Sequence, residues 1–303
     1  MKKLKYYTIA ILLRVVSWLS LGAAQRLGVF VGAILWRLPT KTRQVTDINL
    51  AICLSELNAG EREQLSKDSV KHTTMTALEI PLIWEWPIDK CLGLVRETVG
   101  IKLVEEALAT GKGLILLAPH LGNWELAGLY FSSRYKMAAL YSPPNMAEFE
   151  EYMIKVRGRL GSELVRGDRR GLLRMMTILK EGGVAGILPD QSPRGKTNAF
   201  APFFGMDVKT MTLVAKLMQK TGANALVTYA ERLPDGQGFR IVVEKPVPGL
   251  ADEDPVIAAT ALNQSVENVV RQAPCQYQWE YKRMRHRPAG EPDPYNPDKT
   301  SRG

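Results

Sequence analysis

Hydrophobic positions along the chain change their period near Gly111. Downstream, short apolar runs alternate with longer segments whose apolar residues recur at helical spacing. The runs predict strands at Leu114–Ala118, Met137–Tyr141, Ser162–Val165, Val184–Leu188, Ala225–Tyr229 and Phe239–Val243. The intervening segments predict helices at Glu125–Ser132, Ala147–Leu160, Gly171–Lys180 and Thr212–Gly222. This alternation implies an α/β fold, with a mixed, mostly parallel central sheet flanked by helices. Asp235-Gly236 reads as a hairpin turn, so at least one strand is expected to run antiparallel. A last helix is predicted from Asp254 to Ala273. From Pro288 the chain turns to proline, glycine and charge, and residues 288–303 are expected to be a disordered tail.

Upstream, residues 40–100 read as a helical segment. Leu57-Asn58-Ala59-Gly60-Glu61 resembles a turn and a helix start, and Val70, Met75, Leu78 and Leu82 set a helical stripe over Lys67–Leu82. Pro81, Trp84, Trp86 and Pro87 are expected to break it. The two tryptophans suit a core or a bilayer interface, the core being the simpler reading. Val95–Gly100 suggests a short strand and Ile101–Thr110 an amphipathic helix, which opens an α/β domain over 101–287. In residues 1–39, Lys2, Lys3 and Lys5 precede an apolar stretch from Tyr6 to Trp36, interrupted by Arg14 and Arg26. No uninterrupted run reaches the roughly 18 residues of a plain spanning helix. Gly22-Ala23-Ala24 only approaches a signal cleavage site, so the segment is read as retained. A membrane-associated helix is expected there, lying in the interface or spanning; a buried helix of a soluble protein is the alternative.

Composition narrows the partners. The net charge of +9 calls for something acidic, such as anionic lipid, an acidic protein or nucleic acid. No RNA-binding signature, zinc finger or basic zipper is present, so nucleic acid is not expected. Cys53, Cys91 and Cys275 lie far apart without C-x-x-C spacing, and are read as free thiols in a reducing compartment. No metal-ligand cluster is seen, so no metal is expected.

Candidate chemistry begins at Gly113-Leu-Ile-Leu-Leu-Ala-Pro-His-Leu-Gly-Asn-Trp-Glu125. An apolar strand ends at Pro119, and His120 follows at its C-terminal mouth, where open α/β sheets bind ligands. Glu125 lies five residues on. On a straight helix such residues point apart, because each step turns about 100°. They meet only if the chain bends between them, and Gly122-Asn123 supplies a bend with Asn123 as helix cap. A carboxylate on one ring nitrogen would raise the basicity of the other, which then takes a proton from a hydroxyl. No Ser or Cys nucleophile lies in the stretch, so that hydroxyl belongs to the substrate. The plain alternative is a histidine at a strand end and a glutamate solvating a helical turn. Of the three histidines, His72 falls in a predicted helix and His286 in a basic tail.

Further blocks follow. Val156-Arg-Gly-Arg-Leu-Gly161 and Arg166-Gly-Asp-Arg-Arg170 place arginines beside glycines, suited to gripping phosphate or carboxylate, or to a solvated basic loop. Ile187-Leu-Pro-Asp-Gln-Ser-Pro-Arg-Gly195 sets Asp190 and Gln191 at another strand mouth, on the same edge as His120 if the strands are parallel. Ala201-Pro-Phe-Phe-Gly205 offers Phe203 and Phe204 to an acyl groove or to the core. Pro274-Cys-Gln-Tyr-Gln-Trp279 precedes Lys282, Arg283, Arg285 and Arg287, a pattern that suits a membrane surface, an acidic carrier protein or a solvated basic tail.

The H-x4-E stretch with Asn123-Trp124 before the glutamate resembles that of the lipid A late acyltransferases, lauroyl- or myristoyl-type, within the glycerolipid and lysophospholipid acyltransferase superfamily. The later blocks recur in the family's order over roughly residues 100–290. The resemblance implies a glycerolipid acyltransferase-like fold on the cytoplasmic face of the inner membrane. It implies transfer of a fatty acyl group from acyl carrier protein to a hydroxyl of an anionic, phosphorylated glycolipid, with no cofactor beyond that donor. His120 would be the general base and Glu125 its orienter. Arg159, or else Arg157, matches the arginine block, and Asp190 and Gln191 would lie near the site. Gly122 and Asn123 would shape it, with backbone N–H groups near Gly122 or an arginine holding the oxyanion. Phe203 and Phe204 would line the acyl groove. Another lysolipid or glycolipid acceptor, or non-catalytic binding of anionic lipid, are the alternatives.

Overall fold

The computed structural model describes residues 2–195 and 198–300. The chain opens with α1 (Lys2–Val16) and α2 (Leu21–Arg37). Ser20 separates them, its hydroxyl accepting from the Ala23 N–H at 3.2 Å. The one helix expected over 1–39 is therefore two, bent by 118° at the break. Met1 lies outside the described residues. Next come α3 (Lys41–Cys53), α4 (Ala59–Glu85), α5 (Ile88–Leu92), β1 (Val95–Val99) and α6 (Lys102–Ala109). Asn58 and Glu61 close a reciprocal capping box at the start of α4. That helix runs through Pro81 and stops at Glu85, within the expected breaking block Pro81–Pro87, with Trp86 as its C-cap.

The α/β body continues with β2 (Leu114–Leu117), α7 (Trp124–Ser132), β3 (Met137–Tyr141), α8 (Ala147–Arg157), β4 (Glu163–Arg166), α9 (Arg169–Lys180) and β5 (Val184–Ile187). A separate hairpin, β6 (Asn198–Phe203) and β7 (Met206–Met211), follows, then α10 (Leu213–Thr221), β8 (Asn224–Arg232), β9 (Phe239–Glu244) and α11 (Pro255–Gln272). Seven strands form one sheet in the order β1-β9-β8-β2-β5-β3-β4. Every neighbouring pair is parallel except β8 and β9, which the Asp235-Gly236 turn joins antiparallel.

The sheet is covered on both faces, which is why its central strands read as continuous apolar runs. Successive side chains of β2 point to opposite faces. Ile115 and Leu117 join a core with Ile178, Leu217, Leu262 and Val266, while Leu114 and Leu116 pack with Leu82, Ile83, Val104 and Leu126. Helices α3 and α4 feed these same cores through Leu50, Cys53, Leu82 and Ile83. The tail expected to be disordered instead carries β10 (Pro292–Asp293) and β11 (Asn296–Thr300), paired antiparallel. Tyr295 holds it in place: its hydroxyl accepts from the Met284 N–H at 3.1 Å and donates to the Asn49 side chain. Residues 301–303 of that tail lie outside the described residues.

Candidate active site

β2 and β5 are adjacent and parallel, with Leu117 opposite Ile187, so their C-terminal mouths open side by side. His120 leaves one mouth and Asp190 the other. The Asp190 carboxylate accepts twice from His120, from the backbone N–H at 3.0 Å and from Nδ1 at 2.9 Å. With the Nδ1 proton directed at the carboxylate, Nε2 keeps its lone pair. Burial alone would raise the Asp190 pKa. The positive charge that His120 carries as imidazolium, and its two hydrogen bonds, outweigh that and hold the carboxyl below its ordinary value. The amide nitrogen of Gln191 lies 3.3 Å from Nε2 and also donates to Gln278 Oε1 at 3.2 Å. Trp124 packs edge-on against the imidazole, with ring centroids 4.9 Å apart.

Glu125 does not take the orienting role expected of it. Its carboxylate accepts from Trp84 Nε1 at 2.9 Å and from Arg157 Nε at 3.0 Å, with a second bond from Arg157 Nη2. Desolvation pushes its pKa up. Arg157, by charge and hydrogen bond, and hydrogen bonds from Trp84 and Trp124 reverse this, so the carboxyl stays below its usual range. The reason for the switch lies in the bend. The Asn123 side chain accepts from the Leu126 N–H at 3.0 Å and starts α7 there, which sends Glu125 toward α4 and α8 while His120 stays on the sheet. Gly122 takes φ +62°, and a Cβ on it would lie 2.0 Å from the Ala230 carbonyl oxygen, so only glycine fits this turn.

The backbone N–H groups of the turn are spent inside the fold. Gly122 donates to the Gln276 carbonyl at 3.0 Å, and Asn123 to that of Ala230 at 2.9 Å. The N–H groups of Gly122 and Asn123, expected as oxyanion donors, are thereby taken. Arg157 and Arg159 both line the cavity beside His120 but bond differently. Arg157, the runner-up by sequence, grips Glu125. Arg159 donates to the carbonyls of Ile83 at 2.6 Å, Trp86 at 2.7 Å and Val156 at 3.0 Å, closing the C-terminal end of α4.

A cavity of about 810 Å³ opens beside His120, its polar lining including Glu125, Arg157, Arg159 and Gln191. Leu116, Ala127, Phe131, Met137 and Leu140 make other parts of its wall apolar. Phe203 and Phe204 are not among its walls. Phe203 is buried in the core, and Phe204 packs on Trp279 with centroids 5.9 Å apart, under Arg271. The β6–β7 hairpin carries them away from the sheet mouth. Tyr277, Trp279 and Arg283 are likewise buried, not laid out on a surface. Their stretch instead borders the site, since the Gln278 N–H donates to the His120 carbonyl at 3.0 Å and Leu121 bridges Tyr277. Trp84 and Gln278 were not singled out as site residues by the sequence. The aromatic pair at 84 and 86 is visible in the sequence, but the 41-residue separation of Trp84 and Glu125 hides their hydrogen bond. Among the described residues no group of three or more His, Cys, Asp or Glu side chains could hold a metal ion. All three cysteines are free.

The site thus sets a histidine, hydrogen-bonded through Nδ1 to a buried carboxylate, at a parallel-sheet mouth beside a largely apolar cavity. Residues 1–286 match the family model of the bacterial lipid A biosynthesis acyltransferases, and the chain belongs to that family. It is similar to the lipid A biosynthesis lauroyltransferase of Escherichia coli (26% identity, covering 89% of this chain and 88% of that one). It is also similar to the lipid A biosynthesis myristoyltransferase of the same organism (28% identity, 89% and 82%). A phosphatidylinositol mannoside acyltransferase of Mycobacterium tuberculosis matches at 28% identity over 51% of this chain and 48% of its own.

Proposed function

We propose that this protein transfers a fatty acyl group from acyl carrier protein to a hydroxyl of a phosphorylated lipid A precursor, as a secondary acylation. Beyond family membership, the observation that carries this reading is the His120–Asp190 pair beside the apolar cavity. The acceptor hydroxyl takes the place at Nε2 where the Gln191 amide now sits. Nε2 removes its proton as the oxygen attacks the thioester carbon, and Asp190 stabilises the imidazolium that forms. The carbon–sulfur bond then breaks, and the departing thiolate takes the proton back from Nε2. Gln191, 3.3 Å from Nε2, and Arg157, on the wall of the same cavity, are the side-chain donors we assign to the developing oxyanion. The step needs no covalent enzyme intermediate and no cofactor beyond the acyl donor. Glu125 acts by fixing Arg157.

The same reading seats the enzyme on the cytoplasmic face of the inner membrane. No single helix among the described residues is long and apolar enough to cross a bilayer. The bent α1–α2 pair nevertheless exposes Ile11 (62%), Trp18 (77%) and Phe30 (64%), with Trp18 at the bend. Together the two helices have the length and composition of a broken span or a re-entrant loop, and such a pair seats its apolar residues among lipids either way. The +9 charge suits anionic lipid, the acidic carrier and a phosphorylated acceptor together. A second reading keeps the chemistry and changes the glycolipid acceptor, and the mycobacterial relative supports it.

The test is incubation of labelled acyl–acyl carrier protein with the protein, with and without lipid A precursor. Acylated acceptor formed only when acceptor is present supports the proposal. Free fatty acid released without acceptor makes the protein a thioesterase, and no turnover makes it a binder; either outcome overturns the proposal.

A further inference from the structure

A second charged cluster lies behind the catalytic turn, fully out of water. Glu79 of α4 and Arg232 at the end of β8 have side chains 0% and 3% exposed. Arg232 grips both carboxylate oxygens, Nε to Oε1 at 2.6 Å and Nη2 to Oε2 at 2.6 Å. Gln25 of α2 donates to Oε1 at 2.7 Å, and Asn123 donates to Oε2 at 3.1 Å. Burial pushes the Glu79 carboxyl up, but Arg232 and the Gln25 and Asn123 amides hold it below its ordinary value.

A buried ion pair is an expensive way to fill a core, because apolar residues of the same volume do it at least as well. What this pair provides that apolar packing cannot is direction. Every donor that converges on Glu79 comes from a different part of the fold. Arg232 is itself tied to the turn. Its backbone N–H and C=O bond the Gln276 side chain at 2.8 and 3.0 Å, and the Gln276 carbonyl accepts from Gly122. Thr76, one turn before Glu79 on α4, accepts from Arg232 Nη2 at 2.7 Å. Asn123 thus uses its oxygen to start α7 and its nitrogen to dock on Glu79.

We infer that Glu79 is a positioning residue for the reaction: its carboxylate fixes the Gly122–Asn123 bend that parts His120 from Glu125, and Gln25 extends that hold to helix α2. The inference rests on the acyl-transfer reading only for its kinetic consequence; the geometric consequence stands alone. Loss of the Asn123 contact loosens the turn, lets the imidazole wander from the attacking oxygen and lowers kcat, while substrate binding in the cavity is spared.

Asn123→Ser separates the two roles of Asn123, since serine still caps α7 but cannot reach Glu79 as a donor. Gln25→Met removes only the α2 contact at nearly equal volume. The measurement is amide hydrogen exchange over residues 119–126 in detergent micelles, alongside kcat and KM for both substrates. In Asn123→Ser, exchange in this peptide rises about tenfold while peptides from α9 and β5 keep the wild-type rate. kcat falls about 10²-fold with each KM within about twofold. Gln25→Met moves both readouts the same way by a smaller factor. Unchanged exchange at 119–126 in Asn123→Ser overturns the inference whatever the activity. Unchanged kcat in a folded Asn123→Ser, with wild type active and His120→Ala inactive, also overturns it. If exchange rises as stated but wild type transfers no acyl group, the positioning role stands and the acyl-transfer reading fails.

Discussion

A histidine base works only while its second nitrogen is held in one tautomer, and here the Asp190 carboxylate accepts from both the ring and the backbone N–H of His120. Asp190→Asn presents an amide to that nitrogen and favours the wrong tautomer. We expect kcat to fall about 10³-fold with little change in KM and an unchanged circular dichroism spectrum, measured with purified protein. His72 gives a second test at the same scale. Burial, with the positive charges of Arg232 and Lys71, holds its pKa down at about 4, whereas an unfolded imidazole titrates near 6.5. Between those values the unfolded chain binds more protons than the folded one, so stability falls as pH drops through the window. The full shift corresponds to roughly 3–3.5 kcal/mol. Denaturant unfolding from pH 7 to 4 should show that slope, and His72→Gln, which keeps an acceptor for Arg232, should flatten it.

At the scale of elements, α4 organises the site from below. It brings Thr76, Glu79 and Trp84 under the turn, and its last carbonyls are closed by Arg159. The two arginines of the Arg157-Gly-Arg159 block should therefore part company. Arg159→Ala is expected to cost about 1–2 kcal/mol of stability through unpaired helix-end carbonyls, with kcat within about threefold. Arg157→Ala leaves Glu125 without its cation in a buried place, and should cost about 3–5 kcal/mol or most of the activity. Thermal unfolding and initial rates on both variants decide this. Apolar runs and turn residues were enough to read β2, β5, α7 and the β8–β9 hairpin, because each has one dominant pattern. The β6–β7 hairpin was not legible. Pro202 argues against a strand, and β6 tolerates it because a two-stranded ribbon leaves each strand an open edge. α4 overrides Pro81 and stops only ahead of Trp86-Pro87, three residues past the Leu82 end of its apolar stripe. The pairing of His120 with Asp190 joins residues 70 apart, and only the parallel register of β2 and β5 brings them together.

For the whole molecule, the membrane seating proposed for the bent pair α1–α2 is separable from the chemistry. Trp18→Glu combined with Phe30→Glu should weaken co-sedimentation with anionic phospholipid vesicles about 10²-fold, since two aromatic side chains lose their apolar surroundings. Activity on detergent-dispersed acceptor should stay within about threefold. Unchanged sedimentation would move the membrane contact elsewhere on the protein. Composition could not show that the C-terminal tail is ordered, because a single aromatic, Tyr295, docks a polar stretch against Asn49 and Met284. The account as a whole stands on His120 as the base that activates an acceptor hydroxyl. Its most direct test is a single-turnover assay with acyl–acyl carrier protein and lipid A precursor, read by mass spectrometry of the lipid, comparing wild type with His120→Ala. The wild type should add one acyl mass to the precursor, and the folded variant should add none above background. Transfer at a wild-type rate by folded His120→Ala would contradict the account.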